Sequence, residues 1–403
     1  MEEKDAVIVG SRCAGATLAI ALAGRGWDVL LVDRDRFPSD TVSTHMVYPN
    51  TLARFGQLGI LDTLLSRHDV AFLDSRVWGM GHEIVGRYTP VDGFDQGVGP
   101  RRVALDHAIV DTALTRPSVD GRFGQRVVDL VGSGTEDDPV WGVVLESGDR
   151  VRARWVFGAD GRASTVAGKL GIEKERTQRG EVSYLFAYWD GIPNDGRSTL
   201  DVREDGLISR WANEDGITLL VAAGDAEFTK GTKRERLRRY FDVLGRCPET
   251  IPPDQLERGR MVSNLVVAPE SLTRGYFRRP TGPGWALLGD AAHFKHPGTA
   301  QGICDAVEQA IYIAEALSSA QPGLDGYRDW IDQRAAEHYD WSFSWGRFPK
   351  PGVSDRLFRG WAAEPNAGQD LRDTFSRRVA PSELMTKERL ARWFADAPAA
   401  QST

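Results

Sequence analysis

The sequence predicts an α/β fold of two interleaved domains, followed by a helical C-terminal part. Three observations carry this. An apolar run, Ala6-Val-Ile-Val9, leads through a glycine-bearing turn and a small-residue helical stretch to a second apolar run that ends in an acid, Asp28-Val-Leu-Leu-Val-Asp33. A further strand, Val151 to Phe157, and an apolar run, Trp285 to Leu288, each enter an aspartate-bearing turn. Between Glu181 and Val267 the pattern changes to short strand-like runs separated by turn signals. Continuous apolar runs suit strands buried on both faces.

Composition sets limits. At 403 residues the chain suits two domains better than one small core. Charged residues are 27% and the net charge is -7, which gives no bias toward nucleic acid. No apolar run reaches transmembrane length, and the N-terminus enters a strand at once without a cleavable signal. Cys13, Cys247 and Cys304 form neither a pairing pattern nor a metal-ligand spacing. No metal is expected, and a reducing cytoplasm fits. The end, Ala399-Ala-Gln-Ser-Thr403, is expected to fray.

The first turn is Val7-Ile-Val-Gly-Ser-Arg-Cys-Ala-Gly-Ala16. Gly10 permits a tight turn and Gly15 lets the helix lie close to the sheet. Free N–H groups at the helix start, Cys13 and Ala14, face a pyrophosphate. Asp33, about 20 residues on as the dinucleotide fingerprint expects, would accept from a ribose hydroxyl, with Arg34 beside it. Arg12 stands where the middle glycine of such turns belongs. Either the phosphate sits farther out, or the guanidinium points away or clamps it.

Leu52 to Leu61 reads as a helix capped by Gly59. Arg102 precedes another helix, a mildly unfavourable place for a cation unless a phosphate partners it. The strand Val151–Phe157 turns at Gly158-Ala-Asp-Gly161. Asp160 suits the N-cap of the next helix, worth about 1 kcal/mol, and that role is compatible with a ligand contact. The third turn, Trp285-Ala-Leu-Leu-Gly-Asp-Ala-Ala-His-Phe-Lys-His-Pro-Gly-Thr-Ala-Gln-Gly302, is the most specific.

The middle block reads as antiparallel strands at Ser183–Asp190, Ser198–Arg203, Gly206–Trp211 and Ile217–Ala222. The amphipathic helix Thr232–Gly245 follows, its basic run a solvated face. Tyr184, Phe186, Tyr188, Trp189 and Trp211 are candidates for an aromatic pocket, although core packing explains most of them. Trp341 and Trp345 lie one helical turn apart, so they should touch, and they could close one side of the pocket.

The order and spacing of the three turns resemble the single-component FAD-dependent hydroxylases of the p-hydroxybenzoate hydroxylase type, with their geranylgeranyl reductase and flavin-dependent halogenase relatives. The resemblance runs from about Asp5 to Gln309. It implies a Rossmann-like FAD-binding domain in three parts (1–75, 101–180, 268–325). A β-sheet substrate domain (76–100, 181–267) and a C-terminal helical segment (326–403) complete the chain.

The resemblance also implies site residues. His45 falls in the loop that touches the FAD diphosphate, though a histidine bonding only local backbone is an equal reading. Arg102 matches the residue at the FAD ribose and phosphate. Val127 matches the strand that reads the adenine edge. Asp160 and Gly161 lie near the pyrophosphate and serve NAD(P)H. Gly289 and Asp290 face the ribityl chain. Pro297, Ala300, Gly302 and Ile303 cover the flavin pyrimidine edge, where a helix N-terminus favours the anionic reduced ring. Ala300 replaces the family's first glycine there, and Gln309 stands where an aspartate is common. His293, Lys295, His296 and Pro297 are the candidate catalytic residues, with plain loop or FAD-facing roles favoured over acid–base work.

The implied activity uses non-covalent FAD and NAD(P)H as electron donor. Oxygen adds at the flavin C4a, and one oxygen atom reaches a small aromatic or electron-rich substrate. Partners beyond NAD(P)H, O2 and substrate are not expected: no nucleic acid, no membrane insertion, and a monomer or homodimer. Alternatives are an alkene reductase, faintly echoed by Tyr188-Trp-Asp-Gly-Ile-Pro193, a halogenase, or a flavin protein that sequesters a ligand.

Overall fold

The computed structural model describes residues 1–43, 45–268 and 270–395; the terminal Ala399–Thr403 lies outside them. The chain opens with β1 (Glu2–Val9), α1 (Cys13–Ala23) and β2 (Val29–Asp33). The first apolar run thus belongs to a longer strand than the sequence suggests, with a solvated acidic start. The expected helix before Gly59 is α2 (Pro49–Leu58). Gly59 ends it at φ +78°, and α3 (Ile60–Leu65) follows directly. After β3 (Asp74–Gly79) and β4 (His82–Gly86) come α4 (Arg102–Leu114), β5 (Val119–Phe123), β6 (Val127–Val131), β7 (Gly142–Leu145) and β8 (Arg150–Gly158). Then follow α5 (Thr165–Lys169), β9 (Glu175–Arg179), β10 (Ser183–Asp190), β11 (Arg197–Arg203), β12 (Gly206–Ala212), β13 (Thr218–Gly224) and α6 (Lys233–Gly245).

Two large sheets organise these elements. In the first, the strand Trp285–Leu287, β8, β1, β2 and β5 run parallel in that order, and β7 and β6 extend antiparallel from β8. The second has the order β10-β13-β12-β11-β3-β4. It is antiparallel except where β3 lies parallel to β11. The chain therefore leaves the first sheet after α3, lends β3 and β4 to the second, and returns through α4.

Register places the three turns together. Val9 pairs with Val32 and with Gly158, and Gly158 pairs with Leu287. Gly10, Asp33, Asp160 and Asp290 consequently emerge at one edge, at the carboxyl ends of parallel strands, where open α/β sheets bind ligands.

The second sheet separates its faces by period two. Tyr184, Phe186, Tyr188, Leu207, Trp211 and Val221 share a core with Trp341, Phe358, Trp361 and Phe375 of the C-terminal helices. Leu185, Ala187, Trp189 and Leu220 pack on the opposite face with Tyr240 of α6. Trp189 therefore turns away from any pocket on the aromatic face, and its indole N–H donates to Tyr240 at 3.0 Å. Helix α6 begins with a capping box between Thr232 and Glu235. In the C-terminal helix Tyr327–Trp345, Trp341 and Trp345 do touch, edge to face at 5.8 Å.

Candidate functional site

The sheet edge opens into a cleft of about 710 Å³, within the range of roughly 300–1,000 Å³ usual for small-molecule sites. Of the residues singled out from sequence, Gly10, Arg12, Cys13, Ala14, Asp33, Arg34, Arg102, Val127, Asp160 and Gly161 line it. So do Gly289, Asp290, His293, Lys295, His296, Pro297, Ala300, Gly302 and Ile303.

Gly15 lies behind the wall. A Cβ there would stand 1.8 Å from the Gly10 carbonyl oxygen, so only glycine lets α1 sit this close to the turn. Gly10 itself has φ +96°, and a Cβ would meet the Ala159 carbonyl at 2.6 Å. His45 does not reach the cleft. It is fully buried, stacks on Tyr188 at 5.7 Å, and its Nε2 meets the Tyr188 hydroxyl at 2.5 Å. Its partner is thus a side chain of the second sheet, neither a cofactor-facing atom nor local backbone.

The two arginines share one anion that no local sequence signal singles out. Asp106, fully buried on α4, accepts Arg12 Nη1 at 2.7 Å and Arg102 Nε and Nη2 at 3.0 and 2.9 Å; the Cys13 thiol lies 3.2 Å away. Arg12 also reaches Asp35 at 3.1 Å and the Ser39 hydroxyl at 2.9 Å, pinning the segment after β2 to α4. Asp106 and Asp35 together balance the two guanidinium groups, and both arginines line the cleft.

The acids divide into occupied and open groups. Asp33 Oδ2 accepts the Ser11 N–H at 2.7 Å and hydroxyl at 2.9 Å, and Oδ1 accepts the Asp35 N–H at 2.8 Å. A carboxylate offers about four acceptor sites, so capacity remains. The N-cap of α5 is Ser164, not Asp160: the Ser164 hydroxyl accepts the Ala167 N–H at 3.0 Å, while Asp160 Oδ2 supports the first turn by accepting the Thr165 and Val166 N–H groups at 2.6 and 3.3 Å, and its buried Oδ1 has no partner among the described residues. Support of the helix start and an unpartnered oxygen therefore coexist on Asp160. Asp290 sits in a tight turn whose carbonyl accepts the Tyr276 hydroxyl at 2.7 Å. Its carboxyl pKa is raised by burial, against the lowering pull of Arg162, Arg102 and His293, with no hydrogen bond contributing.

The third turn is braced from below. Gln309 Oε1 accepts the Gly289 N–H at 2.7 Å and the Tyr327 hydroxyl at 3.3 Å, and its Nε2 meets His293 Nδ1 at 3.0 Å. An aspartate here could not donate to that ring nitrogen, so glutamine fits its place. Ala300 adopts φ +52°, the left-handed region that favours glycine. The helix Gly302–Leu317 follows, with no side chain capping its first turn. Its leading N–H groups are left for a ligand.

The candidate acid–base residues are committed or neutral. Lys295 Nζ lies 2.8 Å from Asp305 Oδ2 at an angle short of a hydrogen bond, and Arg377 pairs with the other oxygen of Asp305. Burial first, then Arg377, pushes the lysine pKa far down. His293 Nε2 faces the same carboxylate at 3.3 Å. His296 Nδ1 accepts the Gly298 N–H at 3.2 Å, while its Nε2 is unpartnered among the described residues.

Burial holds His45, His293 and His296 at pKa values of about 3; for His45, Arg102 and Arg101 add to it, and for His293, Lys295 and Arg377 do. Unfolded histidine titrates near 6.5. Their stabilising contribution is whole above that pH and is lost as pH falls toward 3. Asp160 and Asp290, whose pKa values are raised, oppose the loss. Unfolding free energy from urea titration is expected to drop by roughly 4 kcal/mol between pH 7.5 and 5.5, about 1.4 kcal/mol for each of the three rings, before the offset from the two acids. An unchanged value would mean that these rings ionise without unfolding.

The site suits FAD. It has a Cβ-free turn, two guanidinium groups where a diphosphate would lie, two under-used carboxylates and an uncapped helix start. Comparison with known proteins agrees. A family model described as FAD binding domain matches residues 3–203. The chain is 29% identical over 356 residues to 6-methylpretetramide 4-monooxygenase of Streptomyces rimosus, covering 82% of this chain and 79% of that one. It is 27% identical over 362 residues to menaquinone reductase of Mycolicibacterium smegmatis, covering 85% and 83%. The solved p-nitrophenol 4-monooxygenase from Pseudomonas putida superposes with a TM-score of 0.75 at 19% identity, covering 94% and 100%, a likeness of fold alone.

Proposed function

This chain belongs to the p-hydroxybenzoate hydroxylase-like superfamily of FAD-dependent flavoproteins, and from that premise we propose that it is an NAD(P)H-consuming monooxygenase of a small aromatic or electron-rich compound. The observation that carries this reading is the meeting of Gly10, Asp160 and Asp290 at one sheet edge beneath an aromatic sheet face. When bound, FAD supplies the passage of electrons from nicotinamide to oxygen.

The residues have distinct proposed tasks. Arg12 and Arg102, set by Asp106, would hold the diphosphate together with the N–H groups of Cys13 and Ala14. Asp33 and Arg34 would meet the adenosine ribose, and Val127 the adenine edge. Asp160 and Gly161 would border the pyrophosphate, and Gly289 would let the ribityl chain lie against backbone while Asp290 accepts one of its hydroxyls. Pro297, Ala300, Gly302 and Ile303 would enclose the pyrimidine edge, with the helix N-terminus stabilising negative charge there by about 1 kcal/mol. Tyr184, Phe186, Leu219 and Val221 line the same cleft from the second sheet and would exclude water from the reacting face.

His293 and Lys295, tied to Asp305, read as braces of this loop. His296 keeps a free ring nitrogen and remains the candidate proton carrier, neutral at pH 7. Its neighbour Pro297 fixes the turn.

The similarity to a protein named menaquinone reductase supports a second reading, a reductase that adds two hydrogens to its substrate without using oxygen. NAD(P)H oxidation separates the two. A monooxygenase is expected to consume NAD(P)H and O2 one to one when a phenolic substrate is added. Substrate-dependent NAD(P)H consumption that proceeds equally well without oxygen would favour the reductase.

A further inference from the structure

The C-terminal helices grip the loop that carries Pro297, Ala300 and Gly302. The Ser342 hydroxyl accepts the His296 N–H at 3.2 Å. Gln301 Nε2 donates to the Thr374 and Phe375 carbonyls at 2.9 and 3.0 Å, at the end of the helix Pro365–Phe375. A helix leaves such carbonyls unpaired, so the loop and this helix end satisfy each other. Just beyond, Arg377 stands at φ +60°, in the left-handed region, with its side chain only 2% exposed. Its guanidinium pairs with Asp305, lies 3.7 Å from Glu308, and donates to the Arg334 carbonyl.

Asp305 is the acid in the first turn of the helix Gly302–Leu317, is buried, and lines the main cleft. A carboxylate there offsets the positive end of its own helix. Lys295 and His293 face its Oδ2 at 2.8 and 3.3 Å, but burial disfavours the charged form of each. Glu308 is already held by Arg334 at 3.0 Å. Arg377 remains as the fixed positive charge on Asp305, because a guanidinium does not give up its proton in proteins. The hydride that nicotinamide delivers carries two electrons and one proton, so reduction leaves the flavin ring with one added negative charge. An unbalanced Asp305 beside the same helix start would oppose that charge.

We propose that Arg377, acting through Asp305, is a positioning residue for the flavin: it keeps the helix start positive toward the pyrimidine edge and so raises the reduction potential of bound FAD. The inference rests on the placement of that edge at the start of the helix Gly302–Leu317. It gives the C-terminal segment a part in the redox chemistry, beyond closing one side of the pocket.

The test is reductive titration of the FAD-loaded protein against a reference dye at pH 8. Arg377→Met is expected to disfavour reduction on the order of tenfold, the size of a unit-charge effect at an effective dielectric of about 20. In a two-electron couple that is a fall of about 30 mV. Asp305→Asn should shift the potential the other way. Arg377→Lys keeps the charge and should stay near wild type. The double variant Asp305→Asn/Arg377→Met should return to within about twofold of wild type, which mere disruption of packing would not achieve. Should Arg377→Met not fold, Asp305→Asn and the double variant still decide. A potential unchanged in Arg377→Met or in Asp305→Asn, a shift of the opposite sign, or a double variant no nearer wild type than Arg377→Met would each overturn the assignment. The two readings fail separately. Unchanged potentials in a protein that oxygenates its substrate contradict the role of Arg377 alone, whereas the expected shifts in a protein that never oxygenates contradict the monooxygenase alone.

Discussion

Asp106→Ala is expected to cost the FAD-free protein about 3–5 kcal/mol of stability, the range for removing one partner of a buried ion pair. Asp106 is fully buried and anchors both Arg12 and Arg102, whose side chains are only 21% and 11% exposed. Without it two guanidinium groups remain in a largely dry wall with no shared anion. Arg12 keeps Asp35, but Arg102 has no second carboxylate in hydrogen-bond contact. The proposed diphosphate position makes the result specific. A bound diphosphate would supply the missing negative charge, so FAD should raise the melting temperature of Asp106→Ala more than that of the wild type. Thermal unfolding with and without FAD measures both quantities. A variant as stable as wild type, or one that FAD stabilises no better, would remove Asp106 from the account.

Asp290 should show the opposite balance. Asp290 is half-buried, its carboxylate makes no hydrogen bond among the described residues, and desolvation raises its pKa, so in the FAD-free protein the ionised form is a burden on the fold. Asp290→Asn is expected to leave the FAD-free protein as stable as wild type or more so. It should weaken FAD by about 1–2 kcal/mol, since one acceptor oxygen stays and the charge goes. Asp290→Ala removes the acceptor entirely and should lose FAD more severely while still folding. Titration of FAD-free protein by fluorescence quenching reads the series. Wild-type FAD affinity in the alanine variant would show that the ribityl chain does not pass this turn.

Much of the site was legible because its signals are local. Gly10 and Gly15 follow an apolar run at a spacing that only a tight strand–turn–helix uses, and the structure shows each without room for a Cβ. The support that Asp160 lends to the start of α5 was legible in part: one of its oxygens accepts first-turn N–H groups, but Ser164, four residues on, is the N-cap. The four strands of the middle block were legible from their alternation and turns, and so was the contact of Trp341 with Trp345. What the sequence hid are pairings across long separations. Arg12 and Asp106 are 94 positions apart, and His45 and Tyr188 are 143 apart. No local pattern announces either. Gln309 looked like a departure from the expected aspartate, and its value emerged only once His293 and Gly289 stood on either side of it. Trp189 was misjudged as a pocket candidate for a simpler reason. Aromatic richness along a strand does not reveal which alternate face meets the cleft, and Tyr184 and Phe186 took that face.

The central claim is that this chain transfers one atom of molecular oxygen to a small aromatic or electron-rich compound. Turnover under 18O2 with NAD(P)H and 2-naphthol, followed by mass spectrometry of the product, tests it most directly. The account predicts a product that carries one oxygen atom from the gas. A product with two added hydrogens and no label, or unchanged naphthol alongside full FAD occupancy and steady NAD(P)H oxidation, would contradict it.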